Sequence, residues 1–102
     1  MILSIVTGTF CRLRYLQRMV FSARERIPRG VSYEFVLVDG GSTDGTLVWV
    51  KQQPDVRLIE HGGLLGALRA FTEGALAASG EYVLLANDDI EFVANGILKA
   101  IV

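Results

Sequence analysis

Val36-Leu37-Val38-Asp39-Gly40-Gly41-Ser42-Thr43-Asp44-Gly45-Thr46 is the stretch that decides the fold. An apolar run of strand length enters an acidic, glycine-rich turn, and the hydroxyls and Asp44 beyond it are residues that open a helix. The same grammar returns in Tyr82-Val83-Leu84-Leu85-Ala86-Asn87-Asp88-Asp89. Two buried strands that each end in aspartate imply a crevice at the C-terminal edge of a parallel sheet. Such a crevice suits a nucleotide and a divalent metal better than it suits a bare scaffold.

Outward from that turn, elements alternate. Ile2 to Val6 is an apolar run of strand length, ended by Thr7-Gly8-Thr9. From Arg12 to Arg26, Leu13, Leu16, Val20 and Ala23 recur at helical spacing, with Tyr15 and Met19 widening the stripe. Pro28 and Gly30 punctuate its end. Tyr33 to Val38 reads as a second strand, and Ser42 or Thr43 as the cap of a helix from Asp44 to Gln52 that Pro54 closes. Val56 to Ile59 is a short third strand. Gly62-Gly63 opens a loop, after which Leu64, Leu68, Phe71, Ala75 and Ala78 share one face of a helix. Ala67, Ala70 and Gly74 lie nearby, and small residues there would let the helix approach a sheet closely. Tyr82 to Ala86 is the fourth strand, and a last helix begins near Gly96.

The β-α-β-α-β-α-β-α order predicts an α/β fold, a three-layer α/β/α sandwich with a mostly parallel, Rossmann-like sheet. With the first strand central, the strand order is 3-2-1-4. The loops after strands one, two and four then open onto one edge, where the winding reverses.

The 102 residues suffice for one domain with one modest core. Apolar residues make up 51% and charged residues 21%, which describes a folded chain rather than a disordered one. The formal net charge of −1 supplies no basic field for a nucleic-acid backbone, so no nucleic-acid partner is expected. Arg12, Arg14, Arg18, Arg24, Arg26 and Arg29 cluster in the first third. They read as a solvated helix face, the alternative being a weak surface for anionic lipid or a partner. Cys11, the single cysteine, excludes an intrachain disulfide and a cysteine-based zinc site. The opening apolar run is too short for a signal-peptide core or a membrane span. The expected location is the cytoplasm, including the inner face of the membrane. No G-x-G-x-x-G follows the first strand and no lysine-bearing phosphate loop occurs, which counts against nicotinamide oxidoreductases and P-loop nucleotidases.

Asp39 has two readings: a carboxylate that accepts hydrogen bonds from a nucleoside, or one that binds the amides of its own turn. Gly40 and Gly41 let the backbone turn sharply and approach a ligand. Asn87-Asp88-Asp89 offers hard oxygen ligands for Mg²⁺ or Mn²⁺, or else forms a polar turn. Glu91, His61 and Arg69 read as solvent-facing, although the last two could approach a phosphate.

Four blocks in order carry a resemblance that covers nearly the whole chain. They are Leu3 to Arg12 (LSIVTGTFCR), Val38 to Thr46 (VDGGSTDGT), Gly66 to Gly74 (GALRAFTEG) and Gly80 to Asp89 (GEYVLLANDD). Together they resemble the nucleotide-binding half of family 2 glycosyltransferases, which have the GT-A fold. The resemblance implies inverting transfer of a sugar from a nucleotide diphosphate to an acceptor hydroxyl. Residues 1–102 would form the nucleotide-diphospho-sugar-binding domain. It further implies that Thr9 and Phe10 line the nucleoside pocket, that Asp39 binds the base and that Gly41 belongs to the same turn. Gly66 would shape the loop beside the diphosphate, and Asp88 would lie near the ribose or sugar. Asp89 would hold Mg²⁺ or Mn²⁺, with Asn87 where many members carry the first aspartate of the metal motif. The implied partners are a UDP-, GDP- or dTDP-linked donor and a saccharide, lipid-linked or protein acceptor, with cell-envelope polysaccharide synthesis as the setting. The sequence departs from the family at Cys11 and Thr72, each replacing an asparagine, and at Phe71, where many members have arginine.

The resemblance assigns the catalytic base to the acceptor half. The expectation is therefore a chain truncated before that half, inactive alone and prone to self-association through apolar surface left exposed. A nucleotidyltransferase and a non-catalytic nucleotide-binding or assembly module are the alternatives. An acidic response regulator also clusters aspartates at strand ends, but the usual phosphoacceptor and lysine pattern is missing.

Overall fold

The structure, a computed structural model, describes residues 2–61 and 66–92. Four strands, β1 (Leu3–Thr9), β2 (Tyr33–Asp39), β3 (Val56–Glu60) and β4 (Tyr82–Leu85), alternate with helices α1 (Leu13–Arg26), α2 (Thr46–Lys51) and α3 (Ala67–Ala77). The sheet is parallel throughout and ordered β3-β2-β1-β4, as the alternating pattern predicts. The predicted helix near Gly96, the Gly62-Gly63 loop and Leu64 lie outside the described residues. No helix among the described residues is long and apolar enough to cross a membrane.

The strands at the centre are apolar on both faces because both faces are covered. Leu3, Ile5, Phe35 and Leu37 point to one side and pack with Leu16, Met19, Val20 and Ala23 of α1 and Val50 of α2. Val6 and Val38 point to the other, toward α3. That helix lies so close that a Cβ on Gly74 would run into the Val6 side chain, and one on Gly8 would come within 2.7 Å of Ala70. The inward face of α3 is therefore its small-residue face, with Ala70 and Gly74 buried. Leu68, on the apolar face marked out by spacing with Phe71 and Ala75, is 80% exposed. Close approach of backbone to sheet selects Gly and Ala over the larger Leu.

A second correction concerns β4. Its apolar run reads as a buried strand, yet Tyr82, Val83 and Leu85 are exposed. Among the described residues the strand is an edge, paired on one side only, to β1. A third concerns the cap of α2. Neither Ser42 nor Thr43 caps it; the N-cap is Gly45, and Asp44 Oδ1 accepts the Thr46 N–H at 3.2 Å and its hydroxyl at 2.5 Å. Ser42 is occupied elsewhere, donating to Asp39 and accepting the Cys11 N–H.

At the N-terminal edge of the sheet, buried Glu34 is a hub. Its Oε2 accepts the Ser4 hydroxyl and the Ser79 N–H, each at 2.7 Å, and Arg57 approaches Oε1 at 3.3 Å. Burial works to raise the Glu34 pKa, but the hydrogen bonds from Ser79 and Ser4 outweigh it and hold the carboxyl below its usual range. That edge is closed by polar pairing, which leaves the opposite edge as the open one.

Candidate functional site

Every strand contributes its C-terminal end to the open edge. Thr9 pairs in register with Asp39, and Asp39 with Glu60. The ladder continues one step into the loops, through Gly40 N–H to Thr9 C=O and His61 N–H to Asp39 C=O. A cavity of about 310 Å³ lies there, at the low end of the range for small-molecule sites. Thr9, Phe10 and Arg12 supply one wall, Val38, Asp39 and Gly40 the next, and His61 a third. Gly66, Ala70 and Phe71 close it from α3, and Asn87, Asp88 and Asp89 form the acidic side.

Seven of the eight predicted site residues thus come together: Thr9, Phe10, Asp39, Gly66, Asn87, Asp88 and Asp89. Gly41 does not line the cavity. It turns the chain behind Asp39 at φ 97°, a conformation open to glycine, and donates its N–H to Asp39 Oδ2 at 2.8 Å.

Asp39 is almost fully buried, at 1% exposure. Its Oδ2 also accepts the Ser42 N–H at 2.8 Å, and its Oδ1 accepts the Ser42 hydroxyl at 2.5 Å. The carboxylate holds its own turn, and it does so while bordering the cavity. A second carboxylate works in the same way from outside. Asp44 Oδ2 accepts the Leu13 N–H at 3.1 Å, which fastens the start of α1 to the β2–α2 loop.

The acidic side is set by β4 ending beside β1. Asp88 is 7% exposed and its Oδ2 accepts the Thr9 hydroxyl at 2.8 Å. Asp89 is half exposed. Arg12 bridges the pair, with Nε 3.6 Å from Asp88 Oδ1 and Nη2 3.7 Å from Asp89 Oδ2. Among the described residues no three His, Cys, Asp or Glu side chains gather around one point. Two adjacent carboxylates and an amide oxygen still fit Mg²⁺ or Mn²⁺, which take hard oxygen donors and commonly complete their shell with substrate phosphates and water.

Arg12, His61 and Phe71 border the cavity although sequence reading gave them no place in the site. Arg12 belongs to the arginine cluster taken as a solvated face, and only the β1–α1 turn carries it over the acidic pair. His61, read as a surface-loop residue, lines the cavity with its Nε2 hydrogen-bonded to the Glu73 carboxylate of α3. Phe71 lines the cavity, as Phe10 does, so two aromatic side chains border one space. No spacing rule signals the His61–Glu73 pair, because it depends on how α3 lies across the sheet.

Comparison with known proteins agrees with the fold. Residues 4–101 match Glycosyl transferase family 2. Among solved structures, S. aureus TarS 1-349 superposes with a TM-score of 0.83 at 23% identity, covering 98% of this chain and 31% of that one. The same fragment in complex with UDP-GlcNAc gives a TM-score of 0.83 at 23% identity, covering 98% of this chain and 30% of that one. Mannosyltransferase PcManGT from Pyrobaculum calidifontis, in complex with GDP-Man and Mn²⁺, gives 0.77 at 26% identity, covering 91% of this chain and 29% of that one. The chain thus spans less than a third of these solved proteins. No curated protein matches it. With an all-parallel 3-2-1-4 sheet, a cavity at its C-terminal edge and a family match over nearly every residue, the chain belongs to glycosyl transferase family 2.

Proposed function

We propose that residues 1–102 form the donor-binding domain of an inverting glycosyltransferase, taking a nucleotide-diphosphate sugar in the cavity at the sheet edge. The observation that carries this reading is the meeting of Asp39 and Asn87-Asp88-Asp89 around one cavity from strands on opposite sides of β1. The apolar side chains of Phe10 and Phe71 would border a planar base, and the diphosphate would lie toward Asp88 and Asp89. Asp88 and Asp89, with Asn87, would hold Mg²⁺ or Mn²⁺, which offsets the charge that develops on a diphosphate leaving group. Thr9 orients Asp88 through its hydroxyl, and the Asp39 turn fixes the wall behind the base. Support for a nucleotide-sugar donor comes from relatives solved with UDP-GlcNAc and with GDP-Man and Mn²⁺. The acceptor would be a saccharide, a lipid-linked sugar or a protein, and its hydroxyl would attack the anomeric carbon opposite the diphosphate. The exposed apolar residues of β4 and α3 favour self-association of the isolated chain.

Calorimetric titration with UDP, GDP and dTDP, each with and without Mn²⁺, tests the reading. The expected result is Mn²⁺-dependent binding of one nucleotide, weakened about tenfold or more by Asp89→Ala. Binding indifferent to Mn²⁺ and to Asp89 would replace this reading with a non-catalytic nucleotide-binding module. No binding by a folded chain would remove the donor site altogether.

A further inference from the structure

Arg12 borders the cavity but holds no ligand in the donor-site reading, and among the described residues it is the cation paired with both acidic side chains. We infer that Arg12 is a resident counter-ion of Asp88 and Asp89, displaced by a divalent cation and turned by that displacement toward the donor's diphosphate. The inference rests on the donor-and-metal reading above.

The backbone that carries Arg12 is fixed. It is the N-cap of α1, preceded by Cys11 in the left-handed region at φ 51°. Three hydrogen bonds brace this turn against the β2–α2 loop: Cys11 N–H to Ser42 Oγ at 2.9 Å, Leu13 N–H to Asp44 Oδ2 at 3.1 Å, and Thr43 N–H to Cys11 Sγ at 3.3 Å. The side chain, by contrast, is loosely engaged. Its contacts to the two carboxylates, at 3.6 and 3.7 Å, are charge pairs longer than a directed hydrogen bond. Its side chain is 44% exposed, and the guanidinium carbon rests 4.8 Å from the centroid of Tyr15. A fixed root with a loosely held charged tip lets one cation leave the carboxylates without moving the fold.

The charge count favours exchange. Two carboxylates and one guanidinium leave the acidic side at −1, so an incoming divalent cation meets a positive neighbour already in place. Once the cation holds the carboxylates, the displaced guanidinium still borders the same cavity, where a diphosphate would be the nearest anion. Guanidinium groups bind phosphate oxygens in pairs, which gives the displaced side chain a defined second partner.

Opposite signs on two ligands make the test. Mn²⁺ alone is titrated into the wild-type chain, Arg12→Gln and Arg12→Lys, with free Mn²⁺ read by electron paramagnetic resonance. The tightest-binding nucleoside diphosphate of UDP, GDP and dTDP is then titrated at saturating Mn²⁺. Arg12→Gln is expected to bind Mn²⁺ about five- to tenfold tighter, and the nucleotide about tenfold weaker. Arg12→Lys should retain wild-type Mn²⁺ affinity while losing part of the nucleotide affinity, and Arg14→Gln, outside the cavity, should change neither. Circular dichroism confirms that each variant is folded. Wild-type binding of Mn²⁺ and nucleotide with unchanged or weaker Mn²⁺ binding in Arg12→Gln overturns the role of Arg12 alone. Failure of the wild-type chain to bind either ligand overturns the donor-site reading and this inference with it.

Discussion

At the scale of single residues, Cys11 and Asp39 carry the site's geometry by holding backbone. Cys11 adopts φ 51°, which suits Asn and Gly and strains a β-branched residue. Cys11→Asn should therefore fold with equal or greater stability. Cys11→Val should lose about 2 kcal/mol, because it combines left-handed strain with loss of the Thr43 N–H partner. Urea denaturation of the three proteins checks both. Asp39→Asn should cost about 2 kcal/mol as well. An amide cannot accept from both Gly41 and Ser42 N–H and from the Ser42 hydroxyl without setting one NH₂ against a donor. Stability unchanged in that variant would show that the turn is held by other contacts. The turn reading of Asp39 was legible from Asp-Gly-Gly-Ser alone, since those residue types bond locally. Its place at the same edge as Asp88 was legible too, because aspartates that end parallel strands fall at one edge of the sheet.

At the scale of elements, packing reverses two local preferences. Gly74 lies inside α3, where Ala would ordinarily raise helix stability by about 1 kcal/mol. A methyl there collides with Val6, which is buried in β1 and cannot swing aside. Gly74→Ala is thus expected to destabilise by about 2 kcal/mol in chemical unfolding. A neutral or stabilising outcome would mean that α3 can ride outward from the sheet at little cost. The second case is the clasp between α1, β2 and the turn before β3. Arg24 donates to Asp55 through Nε at 2.9 Å and Nη2 at 2.6 Å, and the Tyr33 hydroxyl adds a third bond at 2.9 Å. Burial works to raise the Asp55 pKa, but the bonds from Arg24 and Tyr33 outweigh it and hold the carboxyl below its usual range. The clasp is therefore fully stabilising above the unfolded carboxyl range, about pH 4, and is lost as pH falls through the lower folded value. Thermal melts from pH 7 to pH 2 should show a steep acid loss that Asp55→Asn flattens. An unaltered acid slope in that variant would assign the loss to other carboxyls, Glu34 first.

At the scale of the whole molecule, the exposed edge decides behaviour in solution. Tyr82, Val83 and Leu85 of β4, with Leu68 and Leu76 of α3, leave large apolar side chains in water. An unpaired edge strand that is also apolar is prone to pairing with another copy. Sedimentation of the isolated chain should show association that grows with concentration and falls in Val83→Lys. A concentration-independent monomer would mean that the edge is not sticky enough to pair. The sequence by itself determined the α/β class, the parallel 3-2-1-4 sheet and half of the cavity's lining residues. Apolar runs of strand length alternating with helical spacing leave few chain paths, and aspartates at strand ends fall at one edge of any such sheet. Only the tertiary structure decided which face of α3 turns inward, that β4 is an exposed edge, and that Arg12, His61 and Phe71 border the cavity. These depend on how closely a helix can approach a sheet and on which strand lacks a neighbour. Both are set by contacts between residues far apart in the chain, which no local pattern records.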